Sequence, residues 1–169
     1  FDDLVRAFKI VLKANKNAKL LIVGDGYMRG TLEKVAKDLA VNDKVVFTGF
    51  VNDKELGEIL KSSDVLVVSS RYEPFGIVAL EGMASGVPVV ATGVNGLAEV
   101  VEHEKDGIWV YAGNPDSIAW GVNRVLEDQA LASRLVLNGR KKAEMYDWSR
   151  ITYRTLDVYE RSKQATRFE

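Results

Sequence analysis

Two glutamates, Glu73 and Glu81, stand on either side of a Pro74-Phe75-Gly76 turn and an apolar stretch, Ile77-Val78-Ala79-Leu80. A proline-glycine turn that opens a helix leaves the first amides of that helix without intrahelical acceptors. The amides of Phe75, Gly76, Ile77 and Val78 would then form an anion site, reinforced by the helix dipole, and a diphosphate is a natural guest. The carboxylates would repel phosphate but accept hydrogen bonds from hydroxyls. A rise of about 1.5 Å per residue keeps Glu81 within roughly 6–8 Å of the helix start. Helical spacing puts Glu81 on a stripe with Ile77 and Val78, with Leu80, Met83 and Ala84 on the buried side. The pattern suits a ligand that carries both phosphate and polyol. Two glutamates at this separation also occur as ordinary solvated side chains, and spacing alone does not choose between these readings.

The surrounding sequence alternates strand and helix patterns. Helices are expected over 2–15, 28–40, 53–61, 76–85, 97–101, 115–127, 129–142 and 148–162. Strands are expected over 19–24, 44–47, 64–68, 87–91 and 108–110, as short apolar runs closed by turn residues. Strands separated by helices imply an α/β fold, a Rossmann-like, doubly wound, mainly parallel sheet with helices on both faces. Ligands of such sheets bind at the carboxyl ends of the strands. Glycines 24, 26, 49, 76, 93 and 96 all fall just after strands or at helix starts.

The 169 residues form one expected domain, large enough to bury a core without staples. Lys plus Arg is 23 against 24 Asp plus Glu, with no basic stripe, which argues against a nucleic-acid partner. No apolar run is long enough to span a bilayer, and nothing at the start looks like a signal or transit peptide. The absence of cysteine excludes disulfides and thiolate chemistry and fits a cytoplasmic location. A single histidine, His103, leaves little material for a metal site, so no metal is expected. Phe1 already lies inside a helical pattern, so the chain reads as a domain cut from something longer.

Glu73-Pro-Phe-Gly-Ile-Val-Ala-Leu-Glu81 resembles the E-x7-E motif of glycosyltransferase family 4, whose members have the GT-B fold and retain anomeric configuration. Ser85 to Ala91, Asn95 to Val101, Asp106 to Val110, Asp147 to Ile151 and Ala18 to Gly26 are similar to the segments around that motif, so the resemblance covers essentially the whole chain. Within the family, the archaeal glycogen-synthase-like branch is similar.

The resemblance implies the C-terminal, donor-binding half of such an enzyme, which moves a hexose from a nucleoside diphosphate sugar to a hydroxyl acceptor without a cofactor. It implies that Glu81 binds the ribose hydroxyls and that Glu73 lies beside the donor sugar as the catalytic residue. The amides of Phe75, Gly76 and Ile77 would hold sugar hydroxyls and the β-phosphate. Gly49, Phe50 and Val51 would border the base, and Gly24 and Gly26 would let the chain pass close to the ligand. The family's Gly-Arg…Lys-Gly segment and the strand carrying it have no counterpart here, and neither does the N-terminal acceptor domain. The isolated chain is therefore expected to be inactive, with self-association through an incomplete sheet as a further expectation. Two competing readings are a GT-B nucleotide-sugar epimerase, which usually needs a histidine pair, and a non-catalytic folding or interaction domain.

Weaker signals have structural readings. Gly24-x-Gly26-x-x-x-Gly30 resembles a dinucleotide fingerprint, but the next strand ends in Thr48-Gly49 rather than an acidic residue. His103 reads as a surface residue, Trp109, Trp120 and Trp148 as core, and Glu99 as structural. Gly82 stands where alanine is common, which weakens the helix slightly. Asn95 should tolerate a positive φ. Arg71 and Tyr72, which adjoin Glu73, are balanced between a ligand role and loop structure.

Overall fold

The apolar runs and amphipathic stretches condense into five strands and eight helices over residues 1–165, which the computed structural model describes. In chain order these are α1 (Asp2–Ala14), β1 (Leu20–Val23), α2 (Arg29–Asp38), β2 (Val45–Gly49), α3 (Asp53–Lys61), β3 (Leu66–Val68) and α4 (Ile77–Ser85), followed by β4 (Val89–Thr92), α5 (Asn95–Val100), β5 (Ile108–Val110), α6 (Pro115–Glu127), α7 (Gln129–Glu144) and α8 (Trp148–Ala165). Boundaries agree with the expected ones to within three residues, the largest difference being the end of α8, and α3, β5 and α6 coincide with them.

Every ladder is parallel, as βαβ connections require. The strands form two sets rather than one continuous sheet: β1 pairs with β2, and β3-β4-β5 form a second ladder. Among the described residues no ladder joins β1 to β3. Parallel neighbours must approach to about 4.8 Å to bond, and these two edges keep their inner backbone groups unpaired by one another. The two ladders nevertheless flank one apolar cluster. It contains Ile22 and Val45 from the first ladder and Val90, Ile108 and Val110 from the second, covered by Val5 and Phe8 of α1, Leu32 of α2 and Ile118 and Val122 of α6.

The alternation of β4 shows why both faces need helices. Val90 enters that cluster, while Val89 and Ala91 enter another formed with Ala79 and Met83 of α4 and Leu97 and Val100 of α5; all three strand residues are 0% exposed. Close approach of the helices depends on small residues. A Cβ at Gly82 would lie 2.4 Å from Leu66 Cδ2, so this glycine lets α4 settle on β3 and is more than a weak point in the helix. Gly121 does the same for α6 over Val110 and Val90.

Two expectations change here. Trp109, Trp120 and Trp148 are exposed rather than core. Trp109 instead donates its indole N–H to the Val101 carbonyl, and Trp120 lies under the Arg124 guanidinium. Tryptophan is amphipathic, and apolar size did not reveal which face it would occupy. Ala84 is exposed, whereas Gly82 joins Ala79 and Met83 on the buried side of α4. No helix among the described residues is long and apolar enough to cross a membrane.

The start of α3 carries a full capping box: Asn52 accepts from the Glu55 amide at 3.0 Å, and Glu55 Oε2 accepts from the Asn52 amide at 2.8 Å. Removing such a cap costs about 0.5–2 kcal/mol, so Asn52→Ala should lower stability by about 1 kcal/mol, measurable by urea denaturation with an unchanged m-value.

Candidate active site

The carboxyl ends of the strands bring the singled-out loops to one end of the domain. Gly24 and Gly49 end β1 and β2 with positive φ, 108° and 71°, and the Gly24 amide donates to the Gly49 carbonyl at 3.0 Å. The Gly24-Asp25-Gly26 and Gly49-Phe50-Val51 loops are therefore adjacent, and the Phe50 ring is 86% exposed beside them. A cavity of about 110 Å³ opens here, lined by Phe1, Gly24, Gly26, Met28, Arg29 and Phe47. A larger one, about 460 Å³, opens by the segments that precede β3 and β4, around Asp64, Pro88, Gln129 and Ser133. It lies at the amino ends of β3 and β4, and we assign it no role in the site.

The loop between β3 and α4 carries Glu73 and is tied down at several points. Thr92, fully buried at the end of β4, donates its hydroxyl to the Ser70 carbonyl at 2.6 Å. The Gly96 amide of α5 donates to the Glu73 carbonyl at 3.0 Å. The Glu73 carboxylate accepts from the Gly76 amide at 3.2 Å and faces the Ser70 hydroxyl at 3.5 Å. One of the four amides expected to be open at the helix start, that of Gly76, is thus already engaged by Glu73. Ile77 and Val78 remain in the first turn of α4, where a helix supplies no acceptor. Their side chains are exposed, so this end of α4 faces solvent.

Gly76 is the left-handed N-cap of α4, at φ 94° and ψ 35°. That conformation turns the chain from Pro74-Phe75 into the helix, at a steric cost for any residue with a Cβ. Asn95 has φ 42°, as its residue type allows. The Phe75 ring lies edge-on to Tyr146, with centroids 6.0 Å apart.

Glu81 is half-buried on α4, and its environment includes Asp53, the first residue of α3 after the Gly49–Val51 loop. The β2–α3 segment and the middle of α4 are therefore neighbours. Burial, followed by the Asp53 charge, holds the Glu81 carboxyl above its ordinary range. The sign follows from the folded state binding this proton more tightly than the unfolded chain does. The contribution of Glu81 to stability is present below the ordinary carboxylate range and is lost as pH rises through the raised value. Glu81→Gln should therefore raise the melting temperature of the ligand-free chain at neutral pH. That gain should disappear in acid, which paired thermal scans across pH would reveal.

His103 accepts the Trp109 amide on Nδ1 at 2.9 Å and stacks on the Trp109 ring, a structural role at the surface. Glu99 is exposed at the end of α5. The sequence reading missed Thr92, Arg29 and the partners of Arg71. Arg71 pairs with Asp2 and Asp3, across 69 and 68 residues of sequence, which no local pattern could signal. The only local hint was a pair of acids in the first turn of α1.

Taken together, these features describe an α/β domain of parallel strands whose singled-out loops meet at the carboxyl ends, with the start of α4 flanked by the carboxylates of Glu73 and Glu81. Residues 1–142 match the family described as Glycosyl transferases group 1, and the chain belongs to that family. It is 52% identical over 159 residues to an uncharacterized glycosyltransferase of Methanocaldococcus jannaschii, covering 94% of this chain and 40% of that protein.

Among solved structures it is similar to the sucrose-phosphate synthase of Thermosynechococcus elongatus, with TM-score 0.84 and 30% identity over 96% of this chain and 43% of the other. It is also similar to the Anabaena protein HepE in complex with UDP-glucose, with TM-score 0.81 and 25% identity over 95% of this chain and 44% of the other. The chain spans about 40% of the length of curated relatives that it matches.

Proposed function

We propose that this domain binds the nucleoside diphosphate sugar of a retaining, family 4 glycosyltransferase that transfers a hexose to a hydroxyl acceptor. The observation that carries the reading is the α4 start. Glu73 and Glu81 belong to one helix and its entry loop, and the Ile77 and Val78 amides lie between them at the carboxyl ends of the strands.

In this reading Glu81 accepts hydrogen bonds from the ribose hydroxyls and Glu73 lies beside the donor sugar. The first-turn amides of α4 offset the charge that grows on the departing diphosphate, a preorganised stabilisation that needs no metal. Glu73 would exchange its bond to the Gly76 amide for one to the sugar, which frees that amide for the ligand. Gly24, Gly26, Gly49, Phe50 and Val51 border the nucleoside. The UDP-glucose complex of the Anabaena relative supports a donor of this kind. The cysteine-free sequence is consistent with the cytoplasm, which we include in the reading.

The unpaired inner edges of β1 and β3 also accept one more parallel strand in this reading, and we propose that the rest of a longer polypeptide supplies it together with the acceptor domain. This domain alone would then transfer no sugar, since closure over the acceptor needs both halves. Assaying transfer by this chain beside a two-domain relative tests that point: comparable rates would overturn it. A dimer that persists on dilution in size-exclusion chromatography would instead indicate that a second copy completes the sheet.

Donor binding is tested by thermal shift with UDP, ADP and GDP and their glucose conjugates. Ligand at about 100 times its dissociation constant adds about 2.7 kcal/mol of stability. A shift confined to one base supports the reading and names the nucleotide; no shift with any of them would sink it.

A further inference from the structure

Arg71 is the side chain by which the Glu73 loop reaches the other half of the site. Its Nη2 and Nε both donate to Asp3 Oδ2, at 2.8 and 3.1 Å, and Nη2 also approaches Asp2 Oδ2 at 3.4 Å. Asp3 is 7% exposed, so one partner of the pair is nearly withdrawn from water. Both acids sit in the first turn of α1, where the helix dipole favours them.

The residue preceding them, Phe1, lines the cavity beside Gly24 and Gly26. The start of α1 therefore touches both the β1 loop and, through Arg71, the β3–α4 loop. The other ties of that loop, from Thr92 and Gly96, run to β4 and α5 within its own half of the fold. Across the interruption between β1 and β3, where no backbone ladder holds the two halves in register, the ion pair supplies a link.

We infer that Arg71 is a positioning residue, which through Asp3 fixes the loop bearing Glu73 and the start of α4 relative to the Gly24–Gly26 loop. Its effect on the donor sugar rests on the function proposed above; its effect on the loop does not. The guanidinium is itself engaged by two carboxylates, so it acts through Glu73 and the α4 start. Arg71 is held above its ordinary pKa, first by the hydrogen bond to Asp3 and then by the charges of Asp3 and Asp2, so it keeps its charge at every pH at which the domain would work.

The test uses Arg71→Met, Arg71→Lys and Asp3→Asn in this chain, read by amide hydrogen exchange at Gly76 and Gly96 and by calorimetric titration with UDP, UDP-glucose, ADP and ADP-glucose. For Arg71→Met, exchange at the two glycines should rise roughly tenfold while Val90 and Ile108 keep their rates, a local opening rather than a global one. Lysine should restore part of the protection, since it keeps the charge but loses the fork. Nucleotide affinity should hold while the extra affinity given by glucose falls.

Unchanged exchange at Gly76 and Gly96 in both the Met and Asn variants would overturn the inference, whatever the ligands do. Faster exchange in variants of a chain that binds none of the four ligands would uphold it and defeat the proposed function instead. If Arg71→Met does not fold, Lys and Asn variants with wild-type exchange overturn the inference, and variants with intermediate exchange uphold it.

Discussion

Glu81→Ala should abolish nucleotide-dependent stabilisation while leaving a chain that folds at least as well as the original. A hydrogen bond to a charged group contributes about 1.5–3 kcal/mol, and a carboxylate that accepts both ribose hydroxyls forfeits two of them when truncated. That loss matches or exceeds the roughly 2.7 kcal/mol that ligand supplies at about 100 times its dissociation constant, so the thermal shift should vanish. Folding should not suffer in proportion, because burial and Asp53 already disfavour the ionised Glu81. Ligand sensitivity and stability should thus move in opposite directions. A variant that keeps the full shift would show that Glu81 does not touch the nucleotide. One that merely unfolds would show that Glu81 is a packing residue.

Gly96→Ala should be the most damaging single methyl in the site. Its Cβ would lie 2.4 Å from the Pro74 carbonyl oxygen and 2.5 and 2.6 Å from Phe75 Cα and N, all backbone atoms with no rotamer to yield. Relief requires the Glu73 loop to move as a body, which breaks the bond from the Gly96 amide to the Glu73 carbonyl. Overpacking costs about 1–3 kcal/mol, and a backbone clash belongs at the upper end; about 3 kcal/mol lowers the melting temperature by roughly 6–12 °C in a domain of this size. Binding of the sugar conjugate should weaken along with it.

Gly57→Ala is the control. An alanine Cβ there meets nothing within 4 Å, so the helix propensity gained in α3 should stabilise by up to about 1 kcal/mol. Equal melting temperatures for the two variants would mean that the Glu73 loop is not held against α5.

Much of this molecule is legible in its local patterns. The periodicity of α1, α3 and α6 and the short apolar runs of β1 to β5 place these elements, because burial on one face or on two leaves a repeat that a few residues reveal. Glu73, Gly76 and Glu81 stand out for a similar reason. A turn, a helix start and a carboxylate one turn later are set by neighbours in sequence, and those neighbours determine which amides lack helical acceptors.

What the sequence determined by itself, then, is the α/β alternation, the helix start whose first amides lack helical acceptors and the pair of carboxylates beside it. The tertiary structure decided which of these groups are already engaged and by whom. Glu73 is bonded to the Gly76 amide, Thr92 holds the Ser70 carbonyl, Gly96 admits the Glu73 loop, and Asp3 holds Arg71. It also decided that the ladders form two sets and that three tryptophans face outward. The physical reason is range. Helix and strand periodicity is set by residues a few positions apart, whereas a buried carboxylate, a backbone close approach and a missing ladder each depend on what another part of the chain brings to the same place in space.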